Sequence, residues 1–60
     1  MQILDRLKME LSNKSYFPDD QYTQFLVENS LVPTDEYNKS TMQKPLLYTV
    51  LDILEAVSND

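Results

Sequence analysis

The chain has 60 residues with no Cys, His, Trp or Gly, and ten acidic residues against five basic ones give it a net charge of −5. This composition excludes thiol and imidazole catalysis, disulfides, zinc sites of the usual ligands and glycine-rich phosphate loops. The acidic balance argues against binding to nucleic acid or to an anionic membrane, because both require a basic surface. Leu, Ile, Val and Phe together exceed the roughly 20% below which a charged chain usually stays unfolded, so we expect one folded domain over residues 1–60.

The first predicted element is a helix over about residues 2–12. Four apolar residues recur at the spacing of a one-sided core stripe: Ile3, Leu4, Leu7 and Leu11. Asn13 follows, and asparagine is the residue that best replaces glycine in the left-handed conformation at a helix end.

A second, short helix is predicted over about residues 18–29. Pro18 suits a first-turn position, and the two acids after it, Asp19 and Asp20, suit the positive end of the helix dipole. The apolar stripe of this helix consists of Tyr22, Phe25 and Leu26. Asn29 would end the helix.

The segment after the second helix predicts a short helical turn near residues 34–40. Thr34 is a suitable N-cap, and Asp35 and Glu36 would lie in the first turn. Pro45 removes a hydrogen bond from any helix that runs through it. We therefore expect a kink or a break, and a third helix over about residues 44–58.

The third helix carries an unusually wide apolar stripe. Seven residues cover about 160° of its circumference: Leu46, Leu47, Val50, Leu51, Ile53, Leu54 and Val57. The side chains predicted on the other side are Tyr48, Thr49, Asp52, Glu55 and Ala56. One alternative is that the helix is the central helix of a three-helix core. The other is that part of its apolar stripe is covered by a partner chain or by further residues of a longer protein. Asn59 either caps this helix or lies within a longer one.

Adjacent carboxylates are the only remaining source of catalysis. In the pairs Asp19–Asp20 and Asp35–Glu36 the side chains would point about 100° apart on a helix. Both pairs suit helix N-termini, and neither has the spacing of a calcium loop. We therefore expect no enzyme activity, catalytic residue, metal, cofactor or small-molecule substrate.

The remaining candidate function is a contact with another protein. Candidate interface residues are apolar or aromatic side chains away from the stripes of the first two helices, or on the third helix. They are Met9, Val27, Leu31, Val32, Tyr48, Ile53 and Val57.

Three stretches of the chain together resemble a known family. They are Ile3-Leu4-Asp5-Arg6-Leu7-Lys8, then Asp19-Asp20-Gln21-Tyr22 before Phe25-Leu26, and Leu46-Leu47 through Leu51-Asp52-Ile53-Leu54-Glu55-Ala56. In helix order and stripe positions, over most of the chain, they resemble the small helical head–tail connector proteins of tailed phages and prophages. The resemblance implies a non-enzymatic protein that assembles into a ring beneath the portal and joins capsid to tail. Members of that family usually have more chain after the third helix.

We therefore expect an acidic assembly protein whose third helix binds a second copy or a portal- or tail-type protein partner. The alternative is a small acidic binding module, such as an inhibitor or antitoxin-like protein, that docks on a basic protein. Asp5 and Arg6 interrupt the apolar start, so no signal peptide is predicted, and no apolar run reaches the ~20 residues of a membrane span. The expected location is the host cytoplasm, or the virion of a phage-derived protein.

Overall fold

The computed structural model describes residues 1–59, which form three helices. The helices are α1 (Ile3–Glu10), α2 (Asp19–Glu28) and α3 (Lys39–Ser58). Each helix packs against the other two, and the Cα radius of gyration of 10.4 Å is the value expected for a compact chain of this length. The predicted all-α three-helix bundle is confirmed.

The hydrophobic core lies where the three helices meet. The apolar stripes of α1 and α2 face it as predicted, with Ile3, Leu7, Tyr22 and Leu26 buried. The full set of buried apolar residues is Ile3, Leu7, Leu11, Tyr22, Leu26, Leu31, Leu46 and Ile53.

The hydroxyl of buried Tyr22 organises the connection between α1 and α2. It accepts hydrogen bonds from the N–H groups of Tyr16 (3.1 Å) and Phe17 (3.4 Å), and it donates one to the carbonyl of Lys14 (3.3 Å). Phe17 also packs edge-on against the Tyr22 ring, with 6.4 Å between centroids. A core side chain therefore holds the loop that leads into its own helix.

The connection between α2 and α3 caps the start of α1. The Ile3 N–H donates to the Asp35 carbonyl at 2.8 Å, and the Leu4 N–H donates to the Pro33 carbonyl at 3.2 Å. These are two of the N–H groups that a helix cannot satisfy internally in its first turn. Gln2, the residue before α1, makes no side-chain cap, so the loop carbonyls take over that role.

The structure corrects the expected helical turn near residues 34–40. Asp35 and Glu36 lie in the loop beside α1 and are not helical. The Asp35 carbonyl accepts a hydrogen bond from the first turn of α1, and Glu36 forms a β-bridge with Gln2. The N-cap of α3 is Asn38 rather than Thr34, and its side chain accepts from the Ser40 N–H at 3.0 Å.

The structure also corrects the expected interruption at Pro45. α3 begins at Lys39 and continues through this proline to Ser58. Pro45 has no N–H to donate to the carbonyl of Thr41. One turn later the Thr49 hydroxyl donates to the Pro45 carbonyl at 2.8 Å, a bond that does not replace the one missing at Thr41. One missing hydrogen bond is thus tolerated inside a helix of 20 residues.

Candidate interaction surface

α3 presents one apolar row to the core and a second one to the outside. Leu46, Thr49 and Ile53 are buried on the inner side. Leu47, Leu51 and Leu54 are 50%, 52% and 41% exposed. Residues four and three positions apart lie on one line along a helix, so these three leucines form a continuous row. We call this row the leucine seam.

The predicted apolar stripe is therefore divided between core and surface. At 100° per residue, the buried residues of α3 centre about 90° away from the middle of that stripe. Thr49, predicted on the opposite side, is completely buried. Its hydroxyl is satisfied by the Pro45 carbonyl, which removes most of the cost of burying it. The fold thus buries a threonine and leaves three leucines half exposed.

The lengths of the helices explain why the seam stays uncovered. α1 has 8 residues and α2 has 10, whereas α3 has 20. At 1.5 Å per residue, α3 is about 30 Å long, and each of the others is about half that length or less. Both short helices contact the inner face of α3, so neither is left to cover the seam.

The surroundings of the seam suit a contact with another protein. Tyr48 lies beside it with 53% of its surface exposed, and tyrosine is enriched at interfaces. At the C-terminal end of α3, an open groove of about 420 Å³ runs along the seam. Its lining residues are Leu51, Leu54, Glu55, Ser58 and Asn59.

The structure separates the predicted interface residues into three groups. Met9, Val27, Val32 and Tyr48 are exposed. Val57 is half-buried. Leu31 and Ile53 are in the core, which corrects the expectation that they contribute to a surface.

The two corrected residues have identifiable reasons for being buried. Leu31 follows the end of α2, a position whose side chain commonly folds back onto the helix. Ile53 lies on the inner side of α3. Sequence reasoning missed Leu47, Leu51 and Leu54 as site residues, although their four-and-three spacing was a usable signal.

The carboxylates have structural partners or lie at exposed positions. Asp19 pairs with Lys8 at 2.9 Å and links α2 to α1. Asp52 accepts from the side chain of Asn29 at 3.0 Å and links α3 to α2. Within residues 1–59, no group of three His, Cys, Asp or Glu side chains is arranged to hold a metal ion.

A second surface feature is acidic. Between Lys14 and Lys39 the chain carries acids but no Lys or Arg. Asp20, Val27 and Glu28 lie exposed on α2, and we call them the acidic face. Among the described residues, none of the helices is both long and apolar enough to cross a bilayer.

Two further depressions on residues 1–59 are smaller, and one of about 230 Å³ lies on α2 beside Gln21, Gln24, Phe25 and Glu28. The other, of about 120 Å³, lies beside Lys8, Lys14 and Tyr22, and both are below the roughly 300–1,000 Å³ of typical ligand pockets. The leucine seam and the acidic face are therefore the two features from which a function is inferred. Comparison with known proteins adds no candidate, since no protein-family model, curated protein or solved structure matches this chain.

Proposed function

We propose that this protein is a non-enzymatic assembly protein of the head–tail connector type. The leucine seam binds either a neighbouring subunit or a portal-type partner. The protein acts by joining other proteins, and the role requires no cofactor, metal or small-molecule substrate.

The observation that carries this proposal is the rotation of α3 in the bundle. Burial of apolar surface contributes about 25 cal/mol per Å², so an isolated domain gains most by burying its leucines. Here the inner row includes Thr49, whereas Leu47, Leu51 and Leu54 remain half exposed. A partner that covers the seam recovers that burial.

The connector role predicts that the source genome also encodes a portal protein, and reconstitution with that protein is the test. We expect the wild-type chain to bind the purified portal in sedimentation and to appear on it in negative-stain images. The double substitution Leu47→Ser/Leu54→Ser should abolish binding, because each change removes about 1 kcal/mol or more of apolar burial from the contact.

Val27→Ser is the matched control, since Val27 is exposed to the same extent but lies on α2. It should bind the portal as the wild type does. Absence of portal binding by the wild-type chain would contradict the connector role.

The acidic face supports a second candidate, a binding module for a basic protein partner. Asp20 and Glu28 flank the exposed Val27 there, and α2 carries no base. Attraction between exposed charges is screened within about 10 Å at 0.1 M salt. Binding through this face would therefore weaken steeply as salt increases, and Asp20→Asn/Glu28→Gln would weaken it further. Binding that is insensitive to salt would contradict this candidate and favour the seam.

A further inference from the structure

The charges of α3 are distributed unevenly along its length. Lys39 and Lys44 lie in its first part, which contains no acid, and its first turn has no acidic residue. Beyond Lys44 the helix carries Asp52 and Glu55 and no base. This order opposes the helix dipole, which favours acids at the N-terminus and bases at the C-terminus. An isolated helix gains nothing from this arrangement.

An antiparallel copy of the same helix turns this order into an advantage. The basic end of each α3 would then lie beside the acidic end of the other. The two helix dipoles would also oppose each other favourably. A parallel copy would instead place Lys44 beside Lys44 and Glu55 beside Glu55. Charge complementarity therefore favours the antiparallel arrangement.

The seam has the spacing that a paired helix requires. Residues three and four apart, repeated every seven, form the contact line of two helices that cross at a shallow angle. On α3 this line consists of Lys44, Leu47, Leu51, Leu54 and Ser58. Its three central positions are the exposed leucines, and polar residues terminate it at both ends.

We propose that the leucine seam binds the seam of a second copy of this chain in antiparallel orientation. Leu47 of each copy packs against Leu51 of the other. In this register, Lys44 of one copy lies next to Glu55 of the other, and the two Tyr48 side chains lie near the twofold axis. The inference rests on the proposed function only in taking the seam as a protein-binding surface. It specifies that the bound protein is a second copy of this chain.

A contact of this symmetry closes on itself. The pair therefore does not grow into a ring through the seam. It is a unit of two copies, and the remaining surfaces of the pair are free for other partners.

The first measurement is the mass of the protein in solution. Sedimentation equilibrium from about 1 μM to about 1 mM covers complexes with free energies of roughly −8 to −4 kcal/mol. We expect a reversible monomer–dimer equilibrium in this range. Leu51→Ser should raise the dissociation constant at least about 10-fold, and Leu47→Ser should do the same, because these two leucines pack against each other across the contact. Gln21→Ser, at an exposed position of α2 outside both candidate surfaces, should leave it unchanged.

The second measurement determines the orientation. The chain has no native cysteine, so Ser58→Cys carries a single nitroxide label per copy. In the proposed register, the labelled positions are separated by about 18 residues along the axis, which is about 27 Å, and adding the helix spacing gives roughly 30 Å. A parallel pair would place them roughly 10 Å apart. Double electron–electron resonance measures the longer distance, and dipolar broadening of the continuous-wave spectrum detects the shorter one.

Each outcome decides the proposal. A dimer that is sensitive to Leu51→Ser and has labels roughly 30 Å apart supports it. A monomer over the whole concentration range, or labels roughly 10 Å apart, overturns it. A monomer that binds the portal through the seam would overturn this inference and leave the connector role in place. An antiparallel dimer that does not bind the portal would support this inference and contradict the connector role.

Discussion

At the scale of single residues, the chain makes left-handed turns without glycine. Ser12, Asn13 and Ser30 have φ values of 59°, 57° and 63°. Asn13 thus adopts the conformation predicted for it. Asn29 and Asn59 keep negative φ values at the ends of α2 and α3.

A serine therefore takes the left-handed position after α2. The Leu31 N–H donates to the Leu26 carbonyl at 2.9 Å, and the Ser30 N–H donates to the Val27 carbonyl at 3.0 Å. This is the bond pattern of a Schellman motif, in which glycine is the usual residue. Asn29 has a different role, since its side chain donates to the Phe25 carbonyl and to Asp52.

Replacing Ser30 with glycine should stabilise the protein. The left-handed conformation costs an L-residue about 1–2 kcal/mol, whereas the added freedom of glycine in the unfolded chain costs about 0.5–1 kcal/mol. We expect Ser30→Gly to raise the free energy of unfolding by about 0.5–1 kcal/mol, measured by urea denaturation. Ser15→Gly is the control, because Ser15 is an exposed loop residue without positive φ, and it should be neutral or destabilising. A loss of stability in Ser30→Gly would show that the left-handed conformation of Ser30 costs less than the freedom that glycine adds to the unfolded chain.

At the scale of the element, α3 is the part of the molecule that differs most from expectation. Its hydrophobic period predicts a helix but does not say which side of a wide stripe faces the core. Pro45 predicts an interruption, and the helix nevertheless continues across it. The packing of α3 against α1 and α2 offsets the free energy lost with the missing hydrogen bond.

Replacing Pro45 with alanine should stabilise α3. Proline is about 3 kcal/mol less favourable than alanine inside a helix. Part of that gain is lost, because proline also restricts the unfolded chain, by about 0.4–1 kcal/mol, and because the half-buried ring contributes packing. We expect Pro45→Ala to raise the free energy of unfolding by about 1–2 kcal/mol and to slow amide hydrogen exchange over residues 41–45.

Gln43→Ala is the matched control for that substitution. Gln43 is exposed on the same helix two positions earlier, and its change should stay within about 0.5 kcal/mol. A less stable Pro45→Ala would show that the ring's packing outweighs the missing bond.

At the scale of the whole molecule, stability depends on a small core. A chain of 60 residues has a free energy of unfolding of roughly 3–9 kcal/mol. Removing the side chain of a buried isoleucine costs about 2–5 kcal/mol. A single substitution in the core therefore removes a large share of the free energy of unfolding, whereas one on the seam does not.

Ile53 and Leu51 provide a matched test of this difference on one helix. Ile53 is fully buried, and Leu51 is half exposed. We expect Ile53→Ala to lower the free energy of unfolding by about 2–5 kcal/mol, measured by urea denaturation followed by circular dichroism. Leu51→Ala should lower the free energy of unfolding by less than about 1 kcal/mol in a dilute sample. Equal losses in both variants would contradict the division of α3 into a core row and a seam.

The sequence by itself determined three helices and the inner faces of α1 and α2. Ile3, Leu7, Tyr22 and Leu26 belong to the one apolar stripe of each short helix, and the apolar residues off those stripes, Met9 and Val27, are single. Helical periodicity is a local property, and with a narrow stripe it leaves no choice of face. These parts of the fold were therefore predictable.

The tertiary structure alone decided which part of the α3 stripe is buried and how α1 begins. A stripe of about 160° is wider than the two short helices can cover, and their positions select the row of Leu46 and Ile53. The cap on Ile3 comes from the Asp35 carbonyl of a distant loop. Such contacts depend on how separate segments meet in space, which local spacing does not specify, and the leucine seam is exposed for that same reason.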